Sequence, residues 1–363
     1  MRVFMLAFYM FLSASVFSAE TAWQAEKTWV FAVGVISFDN KSLASWPDEG
    51  RVDAVMIEAY KKRGVPADRI VFIKNKDATR ANLIAKFNET LAKTAEGDTL
   101  IFYYAGHGGR DYNDPKRTTS FVTYDTKSGW MVQEVFDAIE KHFKGSRVLL
   151  TADCCHSGAL ATEAPKRASH IDYGVLTSAH ATSRSTGRWT FTQCLVDMLN
   201  GSPALDLNGD GKITFAEVGS YCEEEMSFCE GQLSCSAAKG HFATDLSMAT
   251  TAAKKNPRVG EHCEGLDDGK WWKVKILDSK DGKYLVTWMG WDKKYDRWID
   301  EKLLRPYKPA EFKTGTAVEV EYDKEWYAAK IKENKLGLQL VHYDGYPDID
   351  DEWVAPDRIR MKK

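Results

Sequence analysis

From about Lys27 to Met248 the chain alternates short, near-continuous apolar runs with segments whose apolar residues recur at helical spacing. "TWVFAVGVISF" (28–38), "RIVFIK" (69–74), "TLIFYYAG" (99–106), "RVLLTAD" (147–153) and "YGVLTSAH" (173–180) read as strands. "VDAVMIEAYKKRG" (52–64, closed by Gly64), "ATRANLIAKFNETLAKT" (78–94), "MVQEVFDAIEKHFKG" (131–145) and "TFTQCLVDMLNG" (190–201) read as helices. Strands that are apolar on both faces and separated by helices indicate an α/β fold with a mostly parallel sheet covered on both sides. Ligands of such sheets bind beyond the carboxyl ends of the strands. Two strands stop there on reactive residues: "TLIFYYAGHGGR" (99–110) breaks at a histidine between glycines, and "SRVLLTADCCHSG" (146–158) at a pair of cysteines.

Past a small-residue, basic stretch expected to be a linker (249–257), helical periodicity gives way to aromatic residues alternating with charged ones. At an offset of 55, Trp271 falls on Trp326, Trp272 on Tyr327, Trp288 on Tyr343, Trp291 on Tyr346 and Trp298 on Trp353. The segment therefore reads as two copies of one small all-β barrel, 258–308 and 312–363. Three folded parts suit a chain of 363 residues.

Arg2, an apolar run from Val3 to Leu12 and small residues up to Ser18 or Ala19 have the pattern of a secretory signal peptide over 1–19. No other stretch approaches the length of a membrane span, so an exported chain, secreted or periplasmic, without a span after cleavage is expected. A net charge of −3 argues against a nucleic-acid partner. The seven cysteines permit disulfides, with Cys222, Cys229 and Cys235 as the expected partners.

A cysteine hydrolase needs a thiol, a base beside it and backbone N–H donors for the oxyanion. Cys155 and His107 end two strands among small residues, 48 positions apart. "YYAGHGG" and "DCCHSG" resemble the two active-site motifs of the metacaspases and bacterial caspase-like peptidases, and the spacing is near the roughly 50 of caspases. The resemblance implies a caspase-like three-layer sandwich over 27–248, with Cys155 as nucleophile and His107 as acid/base. It further implies an oxyanion hole made by the N–H groups of Gly108 and Cys155. By the same resemblance Asp153, and Asp53 on the first helix, would form an acidic pocket for Arg or Lys before the cleaved bond. Asp53 reads equally as a residue serving the helix dipole. Ala105 stands where relatives commonly have serine. Cys154 reads as a buried hydrophobe and His156 as structural, and His180 has no motif support. Lys166 and Arg167 lie in a loop that could be self-cleaved or simply solvated.

"DLNGDGKITFAE" (206–217) fits the calcium-loop pattern of the EF-hand, with Asp206, Asn208, Asp210, the Lys212 carbonyl and Glu217 as ligands. A single copy reads as a structural Ca2+ site. The tandem segment resembles chromo-barrel, or Tudor-knot, SH3-like domains, which implies an aromatic cage from Trp272, Trp288, Trp291 and Tyr295. Trp298 would be the structural tryptophan of that family. In the second copy Trp326 or Tyr327, Tyr343 and Tyr346 correspond, and Asp350 replaces an aromatic. The expected protein is thus an exported cysteine endopeptidase with two C-terminal binding modules of unknown ligand. The competing reading is an inactive scaffold that binds peptide or polymer through its barrels.

Overall fold

The computed structural model describes residues 23–167, 170–240, 242, 244–251 and 258–362. Five strands, β1 (Thr28–Gly34), β2 (Ile70–Lys74), β3 (Thr99–Ala105), β4 (Arg147–Asp153) and β5 (Asp172–Thr177), run parallel. A sixth, β6 (Cys235–Lys239), joins antiparallel to β5, giving the order β6-β5-β4-β3-β1-β2. Between them lie α1 (Val52–Lys62), α2 (Arg80–Ala92), α3 (Val132–His142), α4 (Thr190–Leu199) and α5 (Phe215–Glu225).

Alternation along each strand divides the core into two layers. Val30, Ala32, Ile101 and Tyr103 face α1, α4 and α5, whereas Phe31, Val33, Phe102 and Tyr104 face α2 and α3. β1 is shorter than its apolar run suggests. It ends at Gly34, and the chain continues out of strand with Val35, Ile36 and Phe38 buried.

The expected 249–257 linker begins later, since Ser247–Thr250 form a strand paired with Lys212–Thr214; residues 252–257 lie outside the described set, as does the 1–19 leader. Two five-stranded antiparallel sheets follow. The first contains β7 (His262–Asp267), β8 (Lys270–Lys280), β9 (Lys283–Trp288), β10 (Arg297–Asp300) and β11 (Leu304–Pro306). The second contains β12 (Ala317–Tyr322), β13 (Glu325–Lys335), β14 (Leu338–Tyr343), β15 (Glu352–Val354) and β16 (Ile359–Met361), in the same spatial order. Irregular registers at Ile276/Asp278 and Ile331/Glu333 occupy matching places. Arg305 stacks on Trp271, and Arg360 on Trp326, in the same way.

The two sheets dock differently on the α/β part. In the first, the His262 ring stacks 4.2 Å from Phe228, and His262 and Lys275 both reach the buried Glu225 carboxylate, at 3.0 and 2.6 Å. Burial alone would raise the Glu225 pKa, but these two partners hold it at about 2. In the second, Trp353 is buried in a small apolar cluster with Leu233 and Leu338. Arg184 there pairs with Asp323, and Arg110 and Arg117 with Asp350. Among the described residues no helix is long and apolar enough to cross a membrane. All seven cysteines are free thiols, which corrects the expected disulfides. Cys222 turns into the core from α5, and Cys235 lies on the edge strand opposite Thr177, so the chain neighbours diverge.

Candidate active site at the carboxyl edge of the sheet

The site is built by register. Gly34 pairs with Ala105 across β1 and β3, and Ala105 with Asp153 across β3 and β4. His107 and Cys155 each follow two residues beyond the Ala105–Asp153 pair, so the parallel ladder delivers both to one edge. Gly108 sets the closeness: a Cβ there would overlap the Cys155 carbonyl and meet the Cys154 sulfur. Only glycine admits that approach.

The His107 ring lies between Phe38 and Trp46, with centroids 5.0 and 4.7 Å away, and its Nε2 is 2.9 Å from the Ala44 carbonyl. A carbonyl oxygen only accepts, so Nε2 carries the proton and Nδ1 keeps the lone pair that a general base requires. Cys155 Sγ accepts from the Ser185 N–H at 3.2 Å. Ser185 is fixed in turn by the buried Gln232, whose Nε2 donates to Ser185 Oγ (3.1 Å) and the Ser178 carbonyl (2.7 Å) while Oε1 accepts from Thr186 N–H. Ala44, Trp46, Ser185 and Gln232 were invisible in the sequence, because each reaches the site from a loop with no motif of its own, and Phe38 was expected in a strand that ends at Gly34.

Cys154 is buried with its thiol pKa pushed well up by burial. His156 has φ +59°, is buried, and places Nδ1 3.1 Å from the Ala181 carbonyl. Burial, with Arg110 nearby, lowers its pKa to about 4. It is a neutral structural residue. His180 packs toward Trp353, and burial lowers its pKa too.

Near His107 and Cys155, Ile36, Trp46, Ala105, Asp153, Gly187, Arg188 and Trp189 line a recess of about 30 Å³. Asp153 Oδ2 accepts from Thr192 Oγ1 at 2.7 Å, and burial raises its pKa to about 6. Asp53 is fully buried and does not line the recess; it holds a two-pronged ion pair with Arg51 (2.9 and 2.5 Å). The expected pair of free carboxylates is corrected to one. Arg51, two residues upstream, supplies the compensating charge.

A cavity of about 310 Å³ lies elsewhere, between Arg110 and Tyr112 of the α/β part and Tyr322, Tyr327, Tyr343 and Tyr346 of the second sheet. Tyr327, Tyr343 and Tyr346 meet edge-on at 6.2–6.3 Å. Asp350, opposite them, is spent on Arg110 and Arg117. In the first sheet Trp272, Trp291 and Tyr295 form an exposed edge-to-face cluster at 5.3 and 5.4 Å. Trp288 does not join it. That ring is 3% exposed in the core over Gly265, with Arg297 stacked on it. Trp298 is corrected as well: at 42% exposure it is a surface residue, unlike its counterpart Trp353.

In the 206–217 loop Asp206 accepts the N–H groups of Gly209, Asp210 and Gly211. Glu217 accepts from Leu207 and Asn208 N–H and from Thr214, capping α5. The donor set is all oxygen, as a hard cation needs, and Asp206 is oriented inward. Glu217 would have to exchange its backbone donors for an ion. Lys166 is exposed, whereas Arg167 is tied to Glu163, Asp137 and Glu140 and stacked on Phe136; Ala168 and Ser169 lie outside the described residues.

Residues 47–163 match the family model of the metacaspase, peptidase C14 domain. Metacaspase-8 of Arabidopsis thaliana is 27% identical over 127 residues, which are 32% of this chain and 32% of that protein. The chain thus matches about a third of the length of this curated relative. Among solved structures, protein GSU0716 from Geobacter sulfurreducens aligns at 16% identity and TM-score 0.46, over 63% of this chain and 99% of that one. The ADCP1 tandem Agenet domain 3–4 aligns at 18% identity and TM-score 0.14, over 29% of this chain and 79% of that one. The segment that resembles the metacaspase peptidase domain, residues 47–163, is the one that carries both His107 and Cys155.

Proposed function

We propose that the protein is a cysteine endopeptidase working through Cys155 and His107. The observation that carries this reading is the shared register: two strand ends bring a thiol and a histidine with a free Nδ1 lone pair to one edge, with Gly108 packed on Cys155. In this reading His107 Nδ1 takes the Cys155 proton, and the thiolate attacks the carbonyl carbon of the scissile bond. The oxyanion is held by the N–H groups of Gly108 and Cys155. Collapse expels the amine, which receives its proton from His107, and water then cleaves the thioester with His107 as base.

Asp153 in the recess supports an Arg or Lys side chain on the amino side of the bond, with Trp46 and Trp189 flanking its alkyl stem. The 206–217 loop supports a structural Ca2+ site at Asp206, Asn208, Asp210, the Lys212 carbonyl and Glu217, which would fix the start of α5. Added calcium should raise the Tm of the wild type and not of Glu217→Gln. The exposed rings Trp272, Trp291 and Tyr295 support an SH3-like binding module for a cationic group. The leader pattern supports export.

The test is turnover of matched fluorogenic peptides ending in Arg, Lys, Gln or Asp, with Cys155→Ala as control. Arg and Lys turnover lost in Cys155→Ala is the expected result. No turnover of any peptide by folded wild-type protein, with or without calcium, would overturn the reading.

A further inference from the structure

Asp53 and Asp153 stand on the same side of the sheet, one above Gly34 and the other at the end of β4, with Ala105 between them. Two inter-strand spacings separate the positions, about 10 Å. A cationic substrate side chain lying over Ala105 would have a carboxylate on either hand, but one of the two is already answered. Arg51 gives Nε to Asp53 Oδ1 and Nη2 to Oδ2, and Ala54 N–H also binds Oδ1 at 2.8 Å. The guanidinium is fixed further by the Gly34 carbonyl (2.9 Å) and Asp48 (3.0 Å). Residue 34 must be glycine for this, since a Cβ would collide with both Asp53 Oδ2 and Arg51 Nη2. Arg51 is 7% exposed and Asp53 wholly buried. A buried pair with this many partners does not open cheaply, so Arg51 is a permanent neighbour of the recess.

We propose that Arg51 is a specificity-determining residue: it neutralises Asp53, so that Asp153 alone attracts a basic substrate side chain. The inference rests on the peptidase reading and on the recess as the pocket for the residue before the scissile bond. It explains a chemical choice that the sequence pattern leaves open. A pocket with two uncompensated carboxylates would discriminate strongly for Arg and Lys. This one, with Asp153 as its single carboxylate and Arg188 also in its lining, discriminates more weakly and admits neutral side chains of similar length.

The experiment compares the ratio of kcat/KM for Arg and Gln peptides among wild type, Asp53→Asn, Arg51→Met and the double variant. One unit charge at about 10 Å and an effective dielectric constant of about 20 alters a cation's binding roughly tenfold. Asp53→Asn leaves Arg51 with only the exposed Asp48 as ionic partner and should lower the Arg:Gln ratio by about that factor, whereas Arg51→Met should raise it as much. The double variant should return to the wild-type ratio. If Arg51→Met does not fold, Asp53→Asn and the double variant decide alone. A double variant that falls with Asp53→Asn would show direct contact of Asp53 with substrate and overturn the proposal. So would turnover with one ratio throughout. No turnover by the wild type would instead overturn the peptidase reading, and this inference with it.

Discussion

Ala105 lies directly opposite Asp153 in the parallel ladder of β3 and β4. That pairing sets the site, because His107 and Cys155 then leave their strands at the same height. The separation of 48 positions in sequence is the register offset of the two strands, carried two residues past their ends.

Gly108 is where this arrangement tolerates least. A methyl group there would strike the Cys155 carbonyl, and moving that carbonyl moves the proposed nucleophile. Gly108→Ala should lower kcat/KM by about a hundredfold or more, the usual consequence of misplacing a reacting group by about 1 Å. Circular dichroism should show the fold retained at 25 °C. Near wild-type activity in this variant would mean that the two turns are not in contact.

Two groups near the site make stability depend on pH with opposite signs. The Asp153 carboxyl is raised by burial to about 6 from 3.8. The native state therefore holds that proton more tightly, and stability falls as pH rises from about 4 to about 6. Above that range the charged form costs about 3 kcal/mol. Asp153→Asn should raise the Tm at pH 8 and leave it unchanged at pH 3.5. His156 is depressed to about 4 from 6.5. Its neutral form stabilises the fold above pH 6.5, and that contribution is lost as pH falls through 4. Thermal melts of the wild type, Asp153→Asn and His156→Asn across pH 3.5–8 would separate the two. Cleavage of Arg peptides should also rise through pH 6 as Asp153 ionises.

The five parallel strands, α1 to α4 and the strand-end positions of His107 and Cys155 were legible in the sequence because periodicity and glycine-flanked motifs are local signals, whereas the edge strand β6 and α5 lay outside those patterns. "RVLLTAD" is a strand over 147–153 as expected. Other features depend on where distant segments meet. Gln232 follows a π-helical turn and braces Ser185 across 47 positions of sequence. Arg51 lies two residues from Asp53, yet their pairing depends on the space above Gly34. Trp288 and Trp298 read alike as candidate cage and structural rings, and the structure sends the first inward and the second outward. Repeat symmetry gave no warning of this, because docking breaks it: Trp353 is buried on Leu233 and Trp298 faces solvent.

That asymmetry has a measurable consequence. Trp353→Ala removes a ring from the apolar contact between the second sheet and the α/β part and should cost about 3–5 kcal/mol. Trp298→Ala, at the equivalent position, should change stability by no more than about 0.5 kcal/mol. Urea unfolding of the two variants side by side provides the check, and equal effects would contradict the docking described here.

The most direct test of the central claim is covalent labelling of the intact protein with a peptidyl chloromethyl ketone ending in arginine, followed by peptide mapping in a mass spectrometer. The account predicts one adduct, on Cys155, that is abolished in Cys155→Ala and slowed at least about a hundredfold in His107→Ala. An adduct on another cysteine, or labelling of Cys155 at the same rate without His107, would contradict it.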